Sequence, residues 1–240
     1  MAYQSIFRRF ELKYILTQEQ KDAVLAAIAQ HMMPDKYGKT TIRNIYFDTD
    51  NYRLIRQSIE KPIYKEKLRI RSYGPAAPED DVYVELKKKF KGVVYKRRLK
   101  LPQKDAIDWL CNAATCRSDT QIAREIDYFL AFYQTLHPRI FLSYQRQAYV
   151  TKDGSDFRVT FDDSILCRQE NICLDAPICG AAVLPEGLTL MEIKSPGGIP
   201  LWLTKALSEN RIFKTSFSKY GKAYETIIYP KLTQEAKTNA

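Results

Sequence analysis

The chain has 240 residues, 45% apolar and 28% charged, a balance that supports a packed core and excludes a disordered or fibrous polypeptide. One core can grow to roughly 250 residues before it splits, so a single domain over residues 1–230, followed by a polar C-terminal tail at 231–240, is expected. The formal net charge of +10 favours a polyanionic partner, which could be nucleic acid, an anionic membrane or a chain of phosphates.

Taken in order, residues 7–15 have the β-branched and aromatic character of a strand. Thr17, with Gln20 three residues on, opens a capping box, and Val24, Leu25 and Ile28 form the apolar stripe of a helix over 17–31. Strands are predicted at 41–47, 65–73, 82–90 and 93–101, the last two joined by a tight turn at Lys91-Gly92. Helices follow at 104–114 and 121–136, the second carrying Ile122, Ile126, Phe129 and Tyr133 on one side and ended by Pro138. Strands at 140–151 and 157–162 precede an irregular excursion, 169–187, and a further strand at 189–194. A short helix over 201–209 behind Pro200 and an amphipathic segment over 216–229 complete the chain. Eight strands with few helices predict an α+β fold: an antiparallel sheet curled toward a barrel, with flanking helices.

Cys111, Cys116, Cys167, Cys173 and Cys179 are odd in number and include no Cys-x-x-Cys pair, so reduced structural thiols are expected rather than disulfides or a zinc site. No apolar run approaches the roughly 20 residues that cross a bilayer, and Arg8 and Arg9 are not followed by the apolar stretch of a leader. A soluble, cytoplasmic chain is the expectation, peripheral to a membrane only through a partner.

The charged residues fall at every second position within several predicted strands, and a period of two puts them on one face. Arg9, Glu11 and Lys13 alternate with Phe10, Leu12 and Tyr14. Lys65, Lys67, Arg69 and Arg71 alternate with Leu68 and Ile70; Glu85, Lys87 and Lys89 with Val84 and Leu86; Lys96, Arg98 and Lys100 with Tyr95 and Leu99. An ordinary sheet with a solvated polar face explains any one of these strands. Several together, each stacking like charges, cost stability unless an anion lies among them. A curled sheet with this face inward makes a positively charged tunnel, suited to a phosphate chain. Cations interleaved with apolar wall residues do not suit nucleic acid, which asks for exposed aromatics among the charges.

The segments FELKY (10–14), IYFDT (45–49), LRIRSY (68–73), VELKKK (84–89), VYKRR (94–98), YQRQAY (144–149), FRVTFDD (157–163), MEIKS (191–195) and FSKYGKAY (217–224) resemble, in this order, the vacuolar transporter chaperone (VTC) domain, the polyphosphate polymerase branch of the triphosphate tunnel metalloenzymes. The resemblance implies an ATP:polyphosphate phosphotransferase whose substrates are ATP and inorganic polyphosphate. It implies Arg69, Arg71, Lys87, Arg146 and Arg158 as catalytic cations and Lys13, Lys96, Arg98, Lys194 and Lys219 as substrate ligands. Glu192 matches the carboxylate that binds Mn²⁺ or Mg²⁺, with Glu85 and Glu11 as further inward acids. Hydrolytic relatives open with Glu-x-Glu-x-Lys, whereas Arg9 stands at the first of these positions, which disfavours water as acceptor. A metal-dependent triphosphatase and a non-catalytic polyanion-binding module are the alternatives. The membrane helices of eukaryotic members are absent, which leaves room for a separate membrane-protein partner and leaves the oligomeric state open.

Overall fold

A computed structural model describes residues 10–91, 93–112 and 114–238. Arg8, Arg9, the start of the first predicted strand and Gly92 of the predicted turn lie outside the described residues. The expected fold is present: an antiparallel sheet curled into a half-barrel, flanked by helices. Its strands run in the spatial order β1 (Phe10–Leu16), β10 (Thr189–Ser195), β8 (Arg158–Arg168), β7 (His137–Thr151), β3 (Thr40–Asp48), β4 (Tyr64–Tyr73), β5 (Asp81–Phe90) and β6 (Val93–Pro102). The short strands β2 (Met32–Pro34) and β9 (Ala181–Ala182), which the sequence does not announce, pair with β7 and β8. Register shifts in β3 at Tyr46/Phe47 and in β7 between Ser143 and Gln145 add twist, as bulges do. The curl brings Glu11 of β1 within 3.7 Å of Lys87 on β5.

Period-two alternation sorts the side chains as the sequence implies. The convex face is apolar and is covered at two places. Helix α1 (Gln18–Ile28) and α5 (Leu201–Glu209) bury Val24, Ile28, Leu203 and Leu207 against Val159, Phe161, Met191 and Ile193. Helix α3 (Gln103–Cys111) and α4 (Gln121–Tyr133) bury Trp109, Ile126 and Phe129 against Leu68, Ile70, Val84 and Leu86. Thr17 and Gln20 form the expected capping box of α1. Helix α4 stops at Tyr133, short of the predicted end, because Gln134 takes φ 57 and leaves the helical path.

The third apolar cluster plugs part of the concave side. Helix α2 (Arg53–Ile59), α6 (Lys219–Ala223) and a π-helical turn, Tyr224–Ile228, place Ile55, Tyr220, Tyr224 and Ile228 against Ile42, Tyr46, Leu142 and Tyr144. Helix α2 escapes sequence reading because Tyr52, at its N-cap, adopts φ 57 and offers no side-chain cap. Asp48 supplies the cap from the end of β3, accepting hydrogen bonds from the amides of Leu54 (2.8 Å) and Ile55 (3.0 Å). Tyr220 of α6 donates to the same carboxylate at 3.0 Å. One buried acid therefore fixes both helices that close the concave side. Helix α7 (Tyr229–Thr238) covers most of the expected polar tail.

All five cysteines are free, and burial pushes the Cys167 thiol up to about 11. Among the described residues no helix is long and apolar enough to cross a membrane.

Candidate active site

In antiparallel ladders directly paired residues share a face, so the registers trace one continuous inner row. Lys13 pairs with Glu192 and Glu192 with Thr160. Arg146 pairs with Asp162 on one side and Thr40 on the other. Across the remaining strands, Tyr46 pairs with Arg69, Arg69 with Glu85 and Glu85 with Arg98, while Lys67 pairs with Lys87 and Lys87 with Lys96. Strand alternation thus delivers to the concavity nearly every cation that the sequence singled out.

These cations gather around two acidic centres. On the wall formed by β4, β5 and β6, Glu85 is 1% exposed. It accepts from Arg69 Nε and Nη2 at 2.8 and 2.7 Å, from Arg98 Nε at 2.7 Å and from Lys96 at 2.7 Å. Arg71 approaches to 3.9 Å and is held by Asn44 (3.0 Å) and the Tyr144 hydroxyl (3.2 Å). Burial opposes ionisation of Glu85, but Arg69, Arg71, Lys96 and Arg98 outweigh it and hold the carboxyl well below its usual range.

On the opposite wall, Arg146 forks Asp162 through Nε and Nη2, both at 2.6 Å, and touches Glu192 at 3.3 Å. The short helix α6 enters the concavity so that Lys219 reaches Asp162 at 2.6 Å and Glu192 at 3.1 Å. Lys13 lies between Glu11 (3.2 Å) and Glu192 (3.4 Å). Despite burial, Lys219, Lys13 and Arg146 keep Glu192 far below its ordinary value, and Lys87 and Lys13 hold Glu11 at about 2.

Neither Lys194 nor Lys67 has an ion-pair partner among the described residues. Burial first, then Arg146 and Lys87, depress Lys194 to about 8 against the pull of Glu192 and Glu11. Burial and the surrounding Lys87, Lys65, Lys13 and Arg69 depress Lys67 to about 7, and its ammonium donates to Ser218 Oγ at 2.9 Å. Cations therefore outnumber carboxylates inside the groove.

Arg158 departs from the expected set. It faces inward by register, yet it begins β8 at the rim, 43% exposed, where it pairs with Asp35 at 2.6 Å. The expected acids do not form one cluster either. Glu85 is committed to its four cations on one wall, while Glu11 and Glu192 share Lys13 on the other. Among the described residues no three His, Cys, Asp or Glu side chains stand at metal-ligating spacing. The oxygens beside Glu192 are Asp162, which shares Lys219 with it, and the Thr160 hydroxyl, buried without a partner and paired with Glu192 in register. Such hard donors fit Mg²⁺ or Mn²⁺ provided phosphate oxygens complete the shell.

Sequence reasoning passed over Asp162, which shares the parity of Arg158 and Thr160. Nor did it single out Tyr46 or Tyr144. They pack, and their hydroxyls also accept from Arg69 (2.7 Å) and Arg71 (3.2 Å).

The fold is similar to that of two solved structures. A Bacillus halodurans protein assigned as an adenylate cyclase superposes with a TM-score of 0.56 at 16% identity, covering 90% of this chain and 96% of that one. A Hippeastrum protein assigned as an adenylyl cyclase, with a dominant triphosphatase activity, gives 0.53 at 13% identity, covering 90% and 94%. No curated protein sequence matches the chain. The VTC domain family model matches residues 8–228, and the chain belongs to that family, within the triphosphate tunnel fold.

Proposed function

We propose that this chain is a polyphosphate polymerase that transfers the γ-phosphate of ATP to a growing inorganic polyphosphate. The observation that carries the reading is the surplus of inward cations, contributed by separate strands and by α6, on a face that an ordinary sheet would leave to water. A polyanion lying along the groove satisfies those charges, and low-dielectric walls strengthen each contact.

Arg69, Arg71 and Arg146 are suited to fork phosphoryl oxygens, since guanidinium geometry matches two oxygens of one phosphate. Lys87, Lys194 and Lys219 supply mobile point charges, which suit a chain that must be held and also advanced. In the transfer, an oxygen of the acceptor's terminal phosphate attacks the γ-phosphorus in line, the bond from γ-phosphorus to the bridging oxygen breaks, and ADP departs. Positioning and charge neutralisation carry most of such catalysis. Glu192, with Asp162 and Glu11 nearby, would hold a Mg²⁺ or Mn²⁺ ion brought with the triphosphate, whose charge would help neutralise the phosphoryl oxygens.

The second reading, a triphosphatase in the same groove, is favoured by the activity of the Hippeastrum neighbour. Arg9 in place of the first glutamate of the hydrolytic pattern speaks for phosphate over water as acceptor. Incubation of the purified chain with ATP and MnCl₂ separates them. Long polymer stained on a gel supports the polymerase; orthophosphate without polymer overturns it.

A further inference from the structure

Lys67 differs from the ion-paired cations of the groove. Lys13, Arg69, Lys96, Arg98, Arg146 and Lys219 each touch a carboxylate. Lys67 instead faces Lys87 across the β4–β5 ladder, with Lys65 and Arg69 beside it on β4 and Lys13 approaching from β1. Glu11 and Glu192 turn to Lys13, Lys87 and Lys219 and leave Lys67 unmatched. Its one hydrogen bond runs to the Ser218 hydroxyl at 2.9 Å. That hydroxyl accepts a second hydrogen from the Gly221 amide at 3.2 Å, and its own proton meets no acceptor among the described residues. The result is an ammonium from β4 and a free O–H donor from the start of α6 converging in a surround of cations, of which Lys13 and Lys87 are themselves paired with Glu11.

We propose that Lys67 and Ser218, with Lys87 and Lys13 around them, form a second phosphate subsite, distinct from the arginine clamp, that receives the terminal phosphate of the acceptor chain. Lys67 lies two residues before Arg69, roughly 7 Å along the strand, so groups held by the two side chains are neighbours along the groove. An acceptor phosphate on Lys67 therefore sits beside a γ-phosphate held by Arg69. The subsite is also proton-linked. The groups facing Lys67 are Lys65 and Arg69 from β4, Lys87 from β5, Lys13 from β1 and the neutral Ser218 from the start of α6. Together with burial they hold it near 7, and an arriving anion reverses that pressure, so binding near neutral pH takes up a proton.

Naming the occupant as acceptor rests on the polymerase reading, but the test needs no turnover. The whole chain is saturated with β,γ-methylene ATP, which fills the arginine clamp without transferring, and is titrated with pyrophosphate by calorimetry at pH 7.5 in two buffers of different ionisation enthalpy. The wild type is expected to bind pyrophosphate with a net proton uptake greater, by a fraction of a proton, than that of a variant without a titrating group at this position. Lys67→Met should lose at least about tenfold in pyrophosphate affinity together with the excess uptake, while its affinity for the methylene analogue stays within about threefold. Lys67→Arg, which keeps the charge and does not titrate, should bind pyrophosphate without the excess uptake. Unchanged pyrophosphate affinity in Lys67→Met, an uptake in it equal to that of the wild type, or an equal loss of analogue and pyrophosphate overturns the subsite. A chain that passes this test yet makes no polymer from ATP refutes the polymerase reading and leaves the subsite standing.

Discussion

Glu85→Gln removes one charge from the centre of a wall without removing a heavy atom. The wild-type carboxylate is 1% exposed and receives Arg69, Arg98 and Lys96 within 2.8 Å, with Arg71 at 3.9 Å. A neutral amide leaves those cations facing one another. Deleting one partner of a buried ion pair costs about 3–5 kcal/mol. The side chains of Lys96, Arg98 and Arg69 remain 36%, 22% and 20% exposed, so solvent screens part of the repulsion and the low end, about 3 kcal/mol, applies. For a chain of this length each kcal/mol moves Tm by roughly 2–4 °C, which predicts a loss of about 6–12 °C in a thermal melt in phosphate-free chloride buffer. Adding sodium tripolyphosphate should narrow the gap, because the anion restores the missing negative charge and stabilises the variant more than the wild type. The pH dependence follows from the depressed carboxyl. Its folded pKa lies below the unfolded value, so its stabilisation is fully present above about pH 5 and is lost as pH falls. The gap between the two proteins should close as the pH falls into the acid range. A variant that melts within 2 °C of wild type without phosphate, or that gains no more than wild type from tripolyphosphate, refutes this account of the wall.

Arg71→Ala should reduce polymer synthesis from ATP on the order of 10²-fold or more with the far-ultraviolet circular dichroism unchanged, as expected when one preorganised charge is withdrawn from phosphoryl transfer; an unchanged rate refutes its role. Lys67 and Lys194, held at about 7 and about 8, bind fewer protons than in the unfolded chain. The ligand-free protein should therefore gain stability as pH rises from 7 toward 10, while its affinity for tripolyphosphate falls over the same range. Parallel rather than opposed trends in melting and calorimetry would contradict the charge surplus. Tyr220→Phe removes the hydroxyl that donates to the buried Asp48 and should cost about 1–2 kcal/mol, read as a Tm loss of roughly 2–8 °C; an unchanged melt would show that the link between α2 and α6 contributes nothing.

The strand pattern was readable because a curled sheet with one charged and one apolar face writes itself into sequence with a period of two. The alternation of Lys67, Arg69 and Arg71 or of Lys96 and Arg98 fixes both strand type and face before any tertiary contact is known. The resemblance to the VTC domain rested on the same segments. Features set by distant packing were not readable. Helix α2 takes its cap from Asp48, six residues before Leu54, instead of from its own N-cap residue. In sequence Lys67 is indistinguishable from Lys65 and Lys89, one more alternating cation on a strand face. Its environment is decided by Ser218, 151 residues away. Arg158 shows the converse limit: parity aims it inward, but its place at the start of β8 leaves it at the rim with Asp35. Asp162 was within reach, since the parity that marked Arg158 runs on to it through Thr160.

The carboxylates inside a groove lined with cations have a physical reason. A ring of cations alone would repel itself whenever no anion was present, and each fixed acid relieves that repulsion. An incoming phosphate must then compete for guanidinium groups already paired, as Arg69 and Arg98 are with Glu85 and Arg146 is with Asp162. That competition weakens net binding at these positions relative to bare cations, whereas Lys67 and Lys194 form no ion pair among the described residues. On the polymerase reading this division has a consequence for the chain being built. Phosphates exchange readily along the paired arginines, as an advancing polymer requires, and are held where the unpaired lysines stand.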